Sequence, residues 1–161
     1  MKDLIDKVKK IIKENIYATI GTCGNVNLPW VSPLFISYDN QLNFYWLSPK
    51  NSWHSKNLRE NNDCSLVMFD SRAPKWTGIG VYMLGTAVEL FKKKEIEKGL
   101  KLEYERLEEG IPSYEGYIGD NEYRVYKFVP PKIWATDDTE DEKGISVDHR
   151  TKLRKESLSL F

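Results

Sequence analysis

Apolar residues open the chain at helical spacing. Leu4, Ile5, Val8, Ile11 and Ile12 share one face, lysines and glutamates take the other, and Asn15 is a natural stop. From Tyr17 the period shortens to two. Residues 17–22 read as a strand, 23–25 as a Cys-Gly-Asn turn and 28–38 as a second strand. Asp39-Asn40 then turns into 41–47, where Leu42, Phe44 and Trp46 alternate with Asn43 and Tyr45. Pro29 and Pro33 each remove a ladder donor, which assigns the second strand to an edge or a kink. A short helix over 52–61 with a serine cap follows, then an apolar strand at 64–70 and a loop at 71–78. A strand at 78–90 carries Gly78, Gly80 and Gly85, the mark of a bulge or of close backbone approach. Ile96, Leu100, Tyr104 and Leu107 set a helix over 94–109, ending before Gly110 and Pro112. The last strand spans 123–134 and is broken at Pro130-Pro131; from Thr136 an acidic, then basic tail reads as poorly ordered on its own.

Short antiparallel-looking strands with helices at intervals predict a mainly β fold, a β-barrel with peripheral helices. The turns at 23–25 and 39–40 are too short for the crossovers of a parallel sheet. At 161 residues one domain is expected, over residues 1–150, with 151–161 as a C-terminal tail. Lys plus Arg balances Asp plus Glu at 24 each, so no basic excess points to nucleic acid. The two cysteines, Cys23 and Cys64, lack a disulfide or metal-binding pattern. With no signal peptide and no apolar run of the ~20 residues a membrane span needs, the expected compartment is the cytoplasm. Five Trp, nine Tyr and six Phe exceed what a minimal core requires and suggest a ligand wall or an oligomer interface.

No GxSxG, HExxH, Walker or strand-to-helix GxGxxG pattern is present, and the only histidines are His54 and His149. Catalytic residues are therefore unassigned, and no metal site is expected. Candidate chemistry gathers after the third strand. Ser48, Ser52 and Ser55 offer hydroxyls; Lys50, His54 and Lys56 offer charge or strong donors. A helix starting at Ser52 would add free N–H groups, a ready anion site, although the same residues also describe an ordinary polar helix start. Trp30 and Trp46 on neighbouring strands, with Trp53 beside the hydroxyls, suit a flat aromatic ligand that bears a phosphate.

These segments resemble the pyridoxamine 5'-phosphate oxidase-like flavoproteins, the FMN-binding split β-barrels. The match runs through residues 17–24, Pro29-Trp-Val-Ser-Pro-Leu-Phe, Tyr45-Trp-Leu-Ser, Ser52-Trp-His-Ser-Lys-Asn and the later strands. The resemblance implies a six-stranded antiparallel barrel of Greek-key type, a homodimer with FMN at the subunit interface, and oxidoreductase activity on an unassigned small-molecule substrate. It places Trp30, Val31, Ser32, Pro33 and Leu34 along the flavin ring, with backbone groups of Val31 and Ser32 at its polar edge. Trp46 and Ser48 would line the pocket, and Ser52, Trp53, His54 and Asn57 would lie at or near the phosphate end. Two positions depart from the family pattern: Trp30 and Trp53 stand where a basic residue is common, which leaves Lys50 or Lys56 to compensate. The C-terminal Arg/His substrate signature is not matched by Asp148-His149-Arg150, so vitamin B6 oxidation is not expected. A non-catalytic flavin-binding protein is the alternative, related barrels also taking deazaflavin or haem, for which His54 or His149 would be the axial ligand.

Overall fold

The computed structural model describes residues 1–75, 77–140 and 146–158; the side chains of 137–140 and 146–148 are outside this description, as are position 76 of the expected 71–78 loop and the last residues of the tail. The apolar stripe of Leu4, Val8 and Ile12 buries one face of helix α1 (Lys2–Glu14), and Asn15 Nδ2 caps its end on Ile11 O at 2.8 Å. Strands β1 (Tyr17–Cys23), β2 (Pro29–Phe35), β3 (Ser37–Tyr38) and β4 (Phe44–Pro49) follow. Helix α2 (Trp53–Glu60) leads to β5 (Asp63–Phe69) and β6 (Gly80–Glu89). Helix α3 (Lys93–Leu107), a short 3-10 turn (Tyr114–Tyr117), β7 (Tyr123–Glu140), β8 (Ser146–Leu153) and a second 3-10 turn (Lys155–Leu158) complete the chain. No helix among the described residues is long and apolar enough to cross a membrane.

All pairings are antiparallel, in the order β2-β1-β5-β6-β7-β4-β3, with β8 also on β7. The two ends of this order, β2 and β3, are separated in sequence only by Ile36. A single residue can join the ends only if the sheet curls on itself, which makes the barrel. Eight strands stand where six were expected. One reason is that Ile36 divides the predicted 28–38 strand in two; the other lies in the tail. There β7 runs on to Glu140 and β8 returns along it, and Leu153 and Leu158 enter the core, which corrects the reading of an unordered tail.

Pro130 and Pro131 do not break β7. They sit where its free edge changes partner, β4 pairing up to Phe128 and β8 from Ile133. On the other side β6 bulges at Gly85, where a Cβ would lie 2.1 Å from Val129 O, so only glycine fits. The interior holds Ile20, Leu34, Phe44, Trp46, Leu66, Met68, Met83, Tyr126 and Phe128. A second apolar cluster lies outside the barrel, where Ile96 and Leu100 of α3 cover Tyr45 and Val125.

Candidate functional site

Helix α2 closes one end of the barrel, and the alternation of three strands decides what it meets there. On β1 the inward series Ala18, Ile20 ends at Thr22; on β2 Leu34 gives way to Ser32 and Trp30; on β4 Phe44 and Trp46 are followed by Ser48. Each strand thus turns from apolar to polar at this end. Ser52 caps α2, its Oγ accepting from Ser55 N–H at 3.4 Å.

His54 enters the polar end and is buried. Its Nδ1 lies 3.1 Å from Ser32 Oγ, and its Nε2 lies 2.8 Å from Ser48 Oγ and 3.0 Å from Ser52 Oγ. Hydroxyls both donate and accept, so either neutral tautomer finds partners. Burial pushes the His54 pKa below its ordinary value, which keeps the ring uncharged at neutral pH. Ser52 Oγ donates to Ser55 Oγ at 2.8 Å, and Asn57 Nδ2 donates to Thr22 Oγ1 at 3.1 Å. Thr22 was not anticipated; a polar residue closing an otherwise apolar alternation is the signal that marks it.

Outside this cluster Trp30 stacks on Trp53, ring centroids 5.4 Å apart and planes 30° apart, with exposures of 39% and 58%. Trp30 Nε1 donates to Ser32 Oγ at 3.1 Å, and Lys56 Nζ lies 5.7 Å over the Trp53 ring. Beside the pair runs the end strand β2. Ile36 N–H donates to Ile16 O, and the register carries that bonded parity to the pairs Leu34/Ala18, Ser32/Ile20 and Trp30/Thr22. Pro29, Val31 and Pro33 therefore turn their backbone groups to the outer edge. Two of the three lack an N–H, so this stretch offers one donor, Val31 N–H, among the carbonyls of 29, 31 and 33.

The predicted site residues thus divide. Val31 and Pro33 are exposed, with Trp30 and Trp53 at the rim. Ser32, Ser48, Ser52 and His54 converge in the buried cluster, with Asn57 on Thr22 beside them. Leu34 and Trp46 are corrections: both are core residues, Trp46 fully buried and stacked on Tyr126 at 5.5 Å, so neither lines a pocket. The Ser32 backbone is a third, since it faces β1 and only its side chain turns to the site. Lys50 points elsewhere, donating to Asp120 O at 3.1 Å. Burial pushes the Cys64 thiol up to about 12, as expected of an inert core cysteine.

One further surface adjoins the β2 edge. Across the sheet a single outward row reads Pro33, Thr19, Val67, Tyr82, Trp134. A groove of about 510 Å³ opens there between Val67, Leu84, Trp134 and Arg150, whose guanidinium lies 4.1 Å from the Tyr82 ring.

The family model of pyridoxamine 5'-phosphate oxidase matches residues 4–137. The chain belongs to that family. Its fold is that of the family's split barrels, as a protein related to general stress protein 26 from Clostridium acetobutylicum illustrates, with a TM-score of 0.64, 13% identity and coverage of 98% of this chain and 99% of that one. A heme binding protein from Mycobacterium smegmatis has a TM-score of 0.71 at 13% identity, over 97% of this chain and 60% of that one. HutZ, the heme storage protein from Vibrio cholerae, has a TM-score of 0.67 at 17% identity, over 79% and 89%. None of the curated proteins matches the sequence.

Proposed function

We propose that this member of the family binds a flavin, FMN in the first instance, and serves as an oxidoreductase for a small molecule. The observation that carries the reading is the free edge of β2 beside the Trp30–Trp53 stack. A flavin ring has a flat apolar body and one edge with both a donor and acceptors. The tryptophans suit the body; Val31 N–H and the neighbouring carbonyls suit the edge. A bound flavin supplies the electron and hydride chemistry, while the chain orients the ring, excludes water and supplies polar contacts, so no acid–base side chain is needed.

A second copy of the chain is part of the reading. The outward row from Pro33 to Trp134 is apolar apart from Thr19, continuous with the β2 edge and half-buried beyond the exposed Pro33, which leaves apolar area for a second copy to cover. The cofactor then lies at the margin of the dimer contact. The two unpaired cysteines suit a reducing, cytoplasmic setting.

The test is an absorbance spectrum of protein mixed with FMN and passed through a desalting column, followed by NADH or NADPH without air. A retained flavin band that bleaches supports the oxidoreductase; a retained band that does not bleach leaves a flavin carrier; no retained band rejects the reading. A haem band after haem addition would favour the second reading, which the heme-binding neighbours suggest by fold alone. Both nitrogens of His54 are engaged by hydroxyls, so that reading relies on His149, exposed on β8.

A further inference from the structure

We infer that the site takes its ligand by the ring and the carbon chain and is indifferent to a terminal phosphate, so that riboflavin binds as well as FMN. The inference rests on the flavin reading above and concerns the groups that sequence alone offered to the phosphate. The hydroxyls of Ser32, Ser48 and Ser52 lie against the ring nitrogens of His54, and Ser55 Oγ accepts from Ser52 Oγ, at 2.8–3.1 Å. Ser48, His54 and Ser55 are buried, so a phosphate would have to displace bonds the fold already makes.

Asn57, the remaining candidate, is no better placed. Its amide donates to Thr22, and Glu60 stands beside it: a Cβ on Gly24 would lie 3.0 Å from Asn57 Oδ1 and 2.7 Å from Glu60 Oε2. That carboxylate accepts from Asn25 N–H at 2.9 Å and would repel a dianion at this position. Two of the nearby cations are committed and the third is solvent-exposed. Lys50 holds Asp120 O, Arg59 lies 3.6 Å from Glu89, and Lys56 is exposed outside the Trp53 ring, where water screens its charge. The neutral His54 is consistent with this arrangement. A site built to grip a phosphate uses charge-assisted bonds, each worth about tenfold or more in affinity; a ribityl chain is uncharged and can keep its hydroxyls hydrated at this exposed rim.

The experiment titrates the protein with riboflavin and with FMN, following tryptophan fluorescence, in about 0.05 M and 0.5 M salt. The expected dissociation constants agree within about threefold at both salts. FMN binding tighter by tenfold or more, with a preference that fades in salt, overturns the inference and leaves the flavin reading standing. Binding of neither ligand overturns both. Glu60→Lys, an exposed change, supplies the missing charge. It should create an FMN preference of about tenfold with riboflavin unaltered, and an unchanged ratio would overturn the placement of the chain end beside Asn57.

Discussion

Trp46 stacks on Tyr126 at 5.5 Å with 11° between the planes, and Trp30 stacks on Trp53 at 5.4 Å with 30°. Each pair also carries a polar chain. Tyr126 OH donates to Glu89, which pairs with Arg124 at 3.0 Å; Trp30 Nε1 donates to Ser32, which meets His54. The contacts are alike, yet Trp46 is shut away from water and Trp53 is more than half exposed. Burial makes the first pair part of the fold. The second gains little by remaining in water, since an exposed stack contributes about 1 kcal/mol or less. Under the proposed function, these two rings at the rim, one of them tied to the hydrogen-bond cluster through Ser32, are the surface offered to the flavin.

The widest separation between the pairs should come from truncating one ring of each. Trp46→Ala leaves a cavity in the barrel and should cost about 3–5 kcal/mol in a urea unfolding curve. Trp53→Ala should cost about 1 kcal/mol or less while weakening flavin binding about tenfold. Equal stability losses would erase the distinction. Next comes Arg124→Ala. It leaves the Glu89 carboxylate nearly buried, with Tyr126 OH and the 3.6 Å Arg59 contact as remaining partners, and should cost about 3 kcal/mol in the same measurement. Flavin affinity of the folded fraction should not change, because this network belongs to the interior.

Much of this architecture was legible in the sequence because alternation and turn chemistry are local. The prolines at 29 and 33 placed β2 on an edge, and the helices at 2–14 and 53–60 follow from their stripe and cap. The continuation of β7 and the return of β8 were not legible. Their residues are mostly polar or charged, so no apolar alternation marks them, even though the two strands are hairpin neighbours with Glu140 opposite Ser146. Alternation also fails to tell a rim from a core: Trp30 and Trp46 are both inward-facing on their strands, and only the height in the barrel separates them. The hydroxyls of Ser48 and Ser52 were visible as candidates, but whether they point out to a ligand or in to His54 is set by the packing of α2.

A smaller effect is expected from His54→Ala. Three serine hydroxyls lose a partner in a buried site, at a cost of about 1–3 kcal/mol in thermal unfolding. Because Ser32 steadies Trp30, flavin affinity should fall in step, although by less than for Trp53→Ala. A variant that binds flavin unchanged would detach the cluster from the exposed pair.

The finest discrimination comes from pH. His54 has its pKa lowered by burial from 6.5, so the unfolded chain takes up a proton that the folded ring refuses. Stability contributed by the outer cluster is therefore complete above that value and declines as pH falls toward the folded pKa, by at most about 1.4 kcal/mol per pH unit. In the inner pair burial pushes the Tyr126 hydroxyl up to about 12, so nothing in that stack titrates in this range. Glu103 on α3 belongs to neither pair and complicates the profile. Burial pushes its carboxyl up from 4.5 to about 8, and its Oε1 has no hydrogen-bond partner among the described residues. The folded chain keeps a proton there that the unfolded chain loses, so stability falls as pH rises through that interval, opposite in sign to His54. The comparison is cleanest in a Glu103→Gln background, which removes the alkaline decline. There a melting profile between pH 5 and 7 should slope downward toward acid. His54→Asn should flatten it and Tyr126→Phe should leave its slope intact. A slope that survives His54→Asn would assign the titration to another group and remove pH as a probe of the exposed pair.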